Sequence, residues 1–254
     1  MMVDPRRSSS SCLREPTGTA RLVVALQDRA SRRIAPIGLL EQSDAGYAFA
    51  YLRRVMDIPG FRPLLGFEDL ERRYESPVLF PLFSQRLMSP RRSDYVRYLT
   101  VLGLPDGSPP LTVLGRSGGR RAGDSIFLVP EPQVDPDGRT STFFFVHGLR
   151  HREGAESRVA RLREGDMLTL RDDPDNPVNG HALLVTREGD ALGWVPDLLL
   201  EYVRRVRDSG AMNLRVAQVN DADAPANLRL RVRLDGSVPR GYLPFHGEEW
   251  ATLA

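Results

Sequence analysis

Hydrophobic and polar positions near the start of the chain follow the pattern of short strands. Apolar residues form continuous runs at positions 22–26 and 34–40, and positions 46–51 alternate aromatic residues with alanines. Alternation with a period of two is typical of a strand that buries one face. We therefore predict three short antiparallel strands in this part of the chain.

Helical spacing replaces this alternation farther along. Four prolines between positions 59 and 81 are too closely spaced for a long helix. Apolar positions then recur at helical intervals over 79–88 and 93–102. Ser93 is a candidate for the cap of the second helix, and Gly103 is a candidate for the residue that ends it. The pattern thus predicts two short helices.

A proline-rich connector divides the chain. Positions 130–137 contain three prolines among alternating acidic residues, directly after a predicted strand at 125–129. Such composition is typical of a boundary between domains. We predict a disordered leader over 1–19, a first module over 20–130 and a second module over 138–254.

The second module has the spacing of a small all-β domain. Four β-like runs separated by turn residues cover positions 142–146, 166–171, 182–186 and 191–195. An amphipathic helix is predicted over 197–208, followed by a closing hairpin of 213–219 and 227–234. The predicted fold class for the whole chain is α+β, mostly β, with an antiparallel sheet and two or three short helices in the first module.

Charge alone does not indicate a partner. The chain has 35 basic and 33 acidic residues, a formal net charge of +2, and every basic residue is arginine. The codon preference of a GC-rich genome explains the missing lysines, because arginine codons are GC-rich. The alternative is that guanidinium groups are favoured because they bind phosphates and base edges.

Several classes of protein are excluded by composition. Membrane proteins are excluded because the chain contains no apolar run near the length of about 18 residues that a membrane helix needs. The first 19 residues lack the apolar core of a secretory signal. The single cysteine, Cys12, rules out an intramolecular disulfide framework. We expect a cytoplasmic protein.

One motif is similar to the nucleophile elbow of hydrolases. Gly115, Ser117 and Gly119 have the G-x-S-x-G spacing, and the apolar run at 111–114 is predicted to be a strand leading into it. An elbow leads into a helix, whereas this segment leads into another predicted strand. A serine hydrolase using Ser117 is therefore the third of our alternatives.

Other catalytic and metal motifs are missing or misplaced. A chain without lysine has no glycine-lysine-Ser/Thr phosphate loop, so no ATPase motif is present. His147 and His151 are four residues apart, a distance of about 13 Å along a strand, which is too long for one metal ion unless the chain turns at Gly148. We predict a protein that is not an enzyme and has no cofactor and no metal.

A row of arginines alternates with apolar residues near the end of the chain. Arg229, Arg231 and Arg233 occupy one face of a predicted strand, and leucine and valine residues occupy the other. One interpretation is an edge strand that charge protects from aggregation. The other is a face that follows the phosphates of a nucleic acid.

Four ordered blocks resemble the HIRAN domain family. They are His147-Gly148-Leu149-Arg150-His151, then residues 162–170 (LREGDMLTL), 175–182 (DNPVNGHA) and 192–196 (LGWVP). The resemblance covers about residues 142–207. It implies a small OB-like β-barrel with one helix, and in the remodelling helicases of eukaryotes this domain holds single-stranded DNA at a 3′-hydroxyl end.

The resemblance also implies candidate binding residues. We expect six of them to converge on one mouth of the barrel: Arg150, His151, Asn176, Asn179, His181 and Trp194. Val178 occupies the place of the stacking tyrosine of the family, and Asn179 occupies the place of its end-reading aspartate. The resemblance therefore predicts strand binding without specifying strand polarity or end.

The first module resembles the N-terminal subdomain of HipA-type toxin kinases. The resemblance rests on Ile37-Gly38-Leu39-Leu40, the aromatic strand at 46–51 and Phe61-Arg62-Pro63-Leu64, and it covers about residues 21–123. No kinase body accompanies these segments. The resemblance implies a regulatory or docking module, with a kinase-like or helicase-like protein as its partner.

Two functions of different class follow from these observations. The first is an adaptor that binds single-stranded or damaged DNA through the HIRAN-like barrel and docks another protein through its first module. The alternative is a protein-interaction component of a toxin-antitoxin or phage-defence system, without affinity for nucleic acid.

Overall fold

A computed structural model describes residues 21–254 except residues 29–30 and 122. The described chain forms two antiparallel sheets with short helices between their strands. This confirms the predicted α+β, mostly β, class. The predicted leader and Cys12 lie outside the described residues. None of the described helices is long and apolar enough to cross a membrane.

The first sheet has five strands in the spatial order β4-β3-β2-β1-β5. Its strands are β1 (Arg21–Gln27), β2 (Ile34–Ser43), β3 (Gly46–Tyr51), β4 (Tyr74–Ser76) and β5 (Ile126–Pro130). The three strands predicted at the start of the chain are confirmed as β1, β2 and β3, which pair in sequence as antiparallel neighbours. The predicted strand at 125–129 is confirmed as β5.

The second sheet has seven strands in the order β10-β9-β8-β11-β12-β7-β6. They are β6 (Gln133–Val134), β7 (Arg139–Phe145), β8 (Met167–Asp173), β9 (Ala182–Arg187), β10 (Asp190–Trp194), β11 (Asn213–Val219) and β12 (Leu230–Ser237). The four predicted β-runs and the closing hairpin are thereby confirmed. The predicted helix at 197–208 is present as a 3₁₀ turn followed by a helix over Leu200–Asp208.

A backbone pair closes the second sheet into a barrel. The amide nitrogens of His147 and Trp194 each donate to the carbonyl oxygen of the other residue, at 2.9 Å. Trp194 ends β10 at one side of the sheet, and His147 follows β7 near the other side. The pair therefore joins the two sides around a buried apolar interior that includes Leu183, Val185 and Val232.

Two glycines allow this closure. A Cβ atom on Gly193 would overlap the carbonyl oxygen of His147. Gly148 has φ 73°, and a Cβ atom there would lie 2.5 Å from the Trp194 ring. A larger side chain at either position would separate the two sides of the sheet, so the closed barrel requires glycine at both.

The helices of the first half include α1 (Pro81–Ser84), α2 (Tyr95–Leu102) and α3 (Pro110–Ser117). The predicted helix over 79–88 is thus reduced to one turn. Gly103 ends α2 in the left-handed conformation, with φ 65°, as predicted. The cap position is Asp94 rather than Ser93, and its side chain makes no capping hydrogen bond.

The prediction of a strand at 111–114 was wrong, because these residues lie inside α3. Pro110 occupies the first turn, where its fixed φ favours a helix and its missing amide proton costs no hydrogen bond. Leu111 and Leu114, on one face of α3, are buried against the first sheet. A run of four apolar residues does not distinguish a buried helix from a strand by periodicity alone.

One apolar core lies between the two sheets. Val23 and Phe127 of the first sheet belong to the same buried cluster as the interior of the barrel. The end of the chain returns to the first sheet, where the amide of Leu253 donates to the carbonyl of Tyr51 at 2.9 Å. The chain passes between the sheets at the predicted connector, and the division into modules 20–130 and 138–254 stays a prediction.

We expect Gly193→Ala to lower the free energy of unfolding by about 2 kcal/mol, because the added methyl group displaces the carbonyl of His147 and weakens the closing pair. Urea unfolding followed by circular dichroism measures this loss. Gly180→Ala is the matched control, since its Cβ would lie 3.4 Å from the Pro174 carbonyl oxygen, an ordinary contact. Equal unfolding midpoints for the two variants would contradict the closure argument.

Candidate nucleic-acid interface

The turn between β8 and β9 is held by Asn176. Its side-chain oxygen accepts hydrogen bonds from the amides of Val178 and Asn179, at 3.0 and 3.1 Å. Its side-chain nitrogen donates to Asp173 at 3.3 Å. Asn176 therefore satisfies backbone groups of the turn, which is a frequent use of asparagine.

Asn179 links the same turn to the segment after β10. Its side-chain oxygen accepts from the amide of His181 at 2.9 Å. Its side-chain amide also bonds the carboxylate of Asp197. Burial raises the pKa of Asp197, and the hydrogen bond from Asn179 opposes that rise only in part. The neighbouring side chain of His181 is exposed.

Trp194 lies where the turn meets the closing strand. Its indole Nε1 donates to Asp173 at 2.8 Å, so Asp173 joins Trp194 to Asn176. The Arg152 guanidinium lies 4.7 Å from the ring centre, and the backbone of Gly148 also packs close to the ring. The ring is half-buried. Three of the predicted site residues, Asn176, Asn179 and Trp194, are thus engaged within the protein.

Arg150 and His151 stand exposed beside this network. They belong to a 3₁₀ turn, Leu149–His151, that begins directly after Gly148 at the closing pair. Arg150 Nε donates to His151 Nε2 at 3.3 Å. Within the described part of the chain, neither side chain contacts a carboxylate. Together with the exposed His181, they are the predicted site residues whose side chains stay available at this end of the barrel.

The arginine row does not lie on an edge strand. β12 pairs with β11 on one side and β7 on the other, so the edge interpretation was wrong. Arg229 precedes the strand and donates to the carbonyls of Ala222 and Ala224, at 2.7 and 2.9 Å. Arg233 pairs with Asp235 at 2.8 Å. Sequence alternation identified the shared face but not the neighbouring strands.

Arg231 connects the barrel to the first half of the chain. Its Nη1 donates to the carbonyls of Leu102 and Gly103, at 3.2 and 3.0 Å. These carbonyls are at the C-terminal end of α2, where the helix dipole favours a cation. Arg231 and Arg233 also lie 5.1 and 5.6 Å from the ring centre of Phe143. The guanidinium row therefore contributes to packing on this face of the barrel.

Sequence reasoning missed a cleft between α3 and the barrel. It has a volume of about 70 Å³ and is lined by residues from both halves, among them Arg120, Phe127, Phe143 and His147. Desolvation lowers the pKa of His147 to about 4, and the nearby charge of Arg120 adds to that effect. The one sequence signal for the cleft is the basic pair that follows Gly118 and Gly119.

Ser117 lines the same cleft but lacks the surroundings of an elbow. It is the last residue of α3, and its hydroxyl donates to the carbonyl of Leu114 at 3.2 Å. The same oxygen accepts from the amide of Gly119 at 3.2 Å, and the side chain also bonds Tyr98. In the described chain no histidine hydrogen-bonds Ser117. Among the same residues no group of three or more candidate ligands is placed to hold a metal ion.

Comparison with known proteins gives one structural likeness. No protein family matches the sequence, and no curated protein matches it. Among solved structures, the HIRAN domain of human HLTF aligns with 20% sequence identity and a TM-score of 0.30, over 39% of this chain and 75% of that chain. This is the family that the sequence blocks resemble, but a TM-score of 0.30 carries no argument about fold. None of the comparisons supports the likeness to HipA-type kinases.

His147 gives a prediction about pH. Its folded-state pKa of about 4 lies below its ordinary value of 6.5, so the unfolded chain binds a proton first as the pH falls. We expect stability to decrease between about pH 6.5 and pH 4 and to lose this part of its pH dependence in His147→Gln. Urea unfolding at pH 7, 5.5 and 4.5 measures the difference.

The exposed His181 provides the control for this experiment. His181→Gln removes an exposed imidazole from the same barrel and leaves His147 in place. This variant should therefore retain the pH dependence of the wild type. If His147→Gln and the wild type lose stability in parallel over this range, His147 is not the group responsible.

Proposed function

We propose that the chain is a nucleic-acid-binding adaptor that holds single-stranded DNA at the closed end of its barrel. The observation that carries the proposal is the exposure of Arg150 and His151 next to Trp194, without a carboxylate partner among the described residues. Elsewhere in the barrel the guanidinium groups of Arg187 and Arg204 pair with aspartates, at 2.5 and 2.8 Å. An arginine that the fold leaves unpaired is suited to a phosphate, which it binds through two parallel hydrogen bonds.

Two of the acidic groups near this end are bonded to side chains other than Arg150. Asp173 is held by the indole of Trp194 and the amide of Asn176, and Asp197 is held by Asn179. Both carboxylates therefore accept hydrogen bonds from uncharged side chains. A backbone phosphate approaching Arg150 therefore displaces no ion pair.

The ion pairs of the basic side chains on one helix favour single-stranded DNA over a duplex as the ligand. A duplex reader places a helix with available basic side chains in the major groove. On the helix Leu200–Asp208, Arg204 and Arg207 both bind Asp172, and Arg205 lies 3.8 Å from Glu201. A short turn that carries Arg150 and His151 is better suited to an unpaired strand, whose phosphates and bases are accessible from several directions.

The first half of the chain supplies support for protein docking. Four of its large apolar side chains are exposed: Met56, Leu65, Val78 and Val96, from 64% for Val96 to 84% for Leu65. Covering these side chains with a partner protein would remove apolar surface from water. The proposed partner is a kinase-like or helicase-like protein.

We expect Arg150→Ala to weaken binding of a single-stranded oligonucleotide about three- to tenfold, the cost of one exposed phosphate contact. The slope of log affinity against log salt should decrease in magnitude by about 0.7. Fluorescence anisotropy across a salt series measures both quantities. Arg163→Ala is the control, because Arg163 is exposed on the same barrel but precedes β8, at the end opposite the Asn176 turn.

The proposal fails if the wild type binds no tighter than about 100 µM at low salt, the weak limit of non-specific binding. It also fails if binding does not weaken as salt rises. A duplex of the same sequence is included, and tighter binding of the duplex would contradict the preference for a single strand.

A second function is favoured by a separate observation. The polar groups of Asn176, Asn179 and Trp194 are satisfied inside the protein, so they do not require a ligand. A protein-interaction component without affinity for nucleic acid fits that state. Flat anisotropy, together with a stable complex between this chain and a co-expressed kinase-like or helicase-like protein, would support it.

A further inference from the structure

We infer that the path of the nucleic acid continues from the barrel onto the first sheet, where Arg120 and Arg32 bind phosphates of the same strand that Arg150 holds. The inference rests on the proposed function and extends it. It assigns binding residues to the half of the chain for which the sequence predicted only protein docking.

The cleft between α3 and the barrel brings these residues together. Arg120 and His147 line the cleft from opposite halves of the chain. His147 belongs to the pair that closes the barrel, and Arg150 follows three residues later in the adjoining 3₁₀ turn. The loop after α3 is therefore adjacent to the closed end of the barrel.

Arg120 differs from the neighbouring arginines in its hydrogen bonds and ion pairs. Its guanidinium lies 5.0 Å from the ring centre of Phe127, and it makes no hydrogen bond or ion pair with another described residue. By contrast, Arg121 donates to Gln85 at 3.4 Å, and Arg86 forms an ion pair with Asp124 at 2.6 Å. Arg120 retains solvent contact, so its donors can reach a ligand outside the cleft.

Two other arginines, Arg32 and Arg150, lie within electrostatic range of Arg120. The pKa of Arg120 is lowered first by desolvation from the surrounding protein and then by the nearby charges of Arg32 and Arg150. His147 is neutral at neutral pH, and its own pKa is lowered in part by Arg120. Arg32 and Arg150, from two separate segments, thus both repel the Arg120 guanidinium, and an anion bound there would relieve that repulsion.

Arg32 occupies an unusual backbone conformation. It lies in the turn between β1 and β2 with φ 61°, in the left-handed region that favours glycine. Its side chain is exposed and has no partner among the described residues. An arginine held where glycine would be less strained is a reason to look for a binding role.

The arrangement fits a polyanion better than a single anion. One inorganic phosphate would neutralise one or two of the guanidinium groups and leave the remaining repulsion. A strand of nucleic acid carries a phosphate at every residue and spans several basic side chains in sequence. The ligand class is therefore a phosphodiester chain that contacts Arg150, Arg120 and Arg32.

The experiment measures binding of a fluorescent single-stranded oligonucleotide by five variants and the wild type, with Arg150→Ala as the variant that tests the barrel site. Arg120→Ala is expected to weaken binding three- to tenfold and to reduce the salt slope by about 0.7, whereas Arg120→Lys should retain most of the affinity because it keeps the charge. Arg32→Gly should weaken binding without lowering the melting temperature, since it relieves the left-handed backbone. Arg62→Ala is the matched control.

Arg62 is chosen because it is exposed and lies on the other side of the first sheet. It follows Phe61, which packs on the core cluster containing Leu128, whereas Arg120 contacts Phe127 on the face toward the barrel. Loss of one arginine there should change neither affinity nor salt slope. Inorganic phosphate is added as a competitor, and displacement of the strand by phosphate at micromolar concentration would identify a single-anion site and overturn the inference.

The results separate the two proposals. If Arg150→Ala weakens binding but Arg120→Ala and Arg32→Gly do not, the strand stays on the barrel and this inference is wrong. Equal losses in Arg120→Ala and Arg62→Ala would indicate a general charge effect and would also overturn it. Loss in Arg120→Ala but not in Arg150→Ala would refute the barrel site. Absence of binding by the wild type would refute both.

Discussion

The closing pair of His147 and Trp194 determines how the functional surface is assembled. Two backbone hydrogen bonds join the sides of a seven-stranded sheet, and they are possible only because Gly148 and Gly193 carry no side chain. Closure sets the exposed turn that carries Arg150 beside the turn between β8 and β9. Without it, these segments would lie at different sides of an open sheet.

Packing between the sheets then adds the first half of the chain to this surface. The shared core holds β1 and β5 against the barrel, and Arg231 fastens the C-terminal end of α2 to β12. As a result the loop after α3 lies near the closed end, and Arg120 comes within electrostatic range of Arg150. The chain has nearly equal numbers of acidic and basic residues. An arginine therefore indicates a binding surface only where the fold gives its guanidinium group no acidic partner.

Local sequence signals predicted the elements that local physics controls. The alternation of aromatic residues and alanines identified β3, and Gly103 marked the end of α2, because strand periodicity and left-handed caps depend on neighbouring residues only. The same reasoning assigned a strand to 111–114, where burial against the sheet and Pro110 favour a helix. It also suggested an edge position for the strand of Arg231 and Arg233, since pairing partners are far away in sequence.

The candidate site likewise contains features that the local sequence predicts and features that depend on the tertiary structure. By itself, the sequence determined the HIRAN-like blocks, the asparagine turn and the presence of Arg150, all of which lie within short segments. Only the tertiary structure decided that Asn176 and Trp194 share Asp173, and that Arg120 lies within electrostatic range of both Arg32 and Arg150. The reason is physical: whether a charged or polar side chain is available to a ligand depends on what long-range folding places beside it.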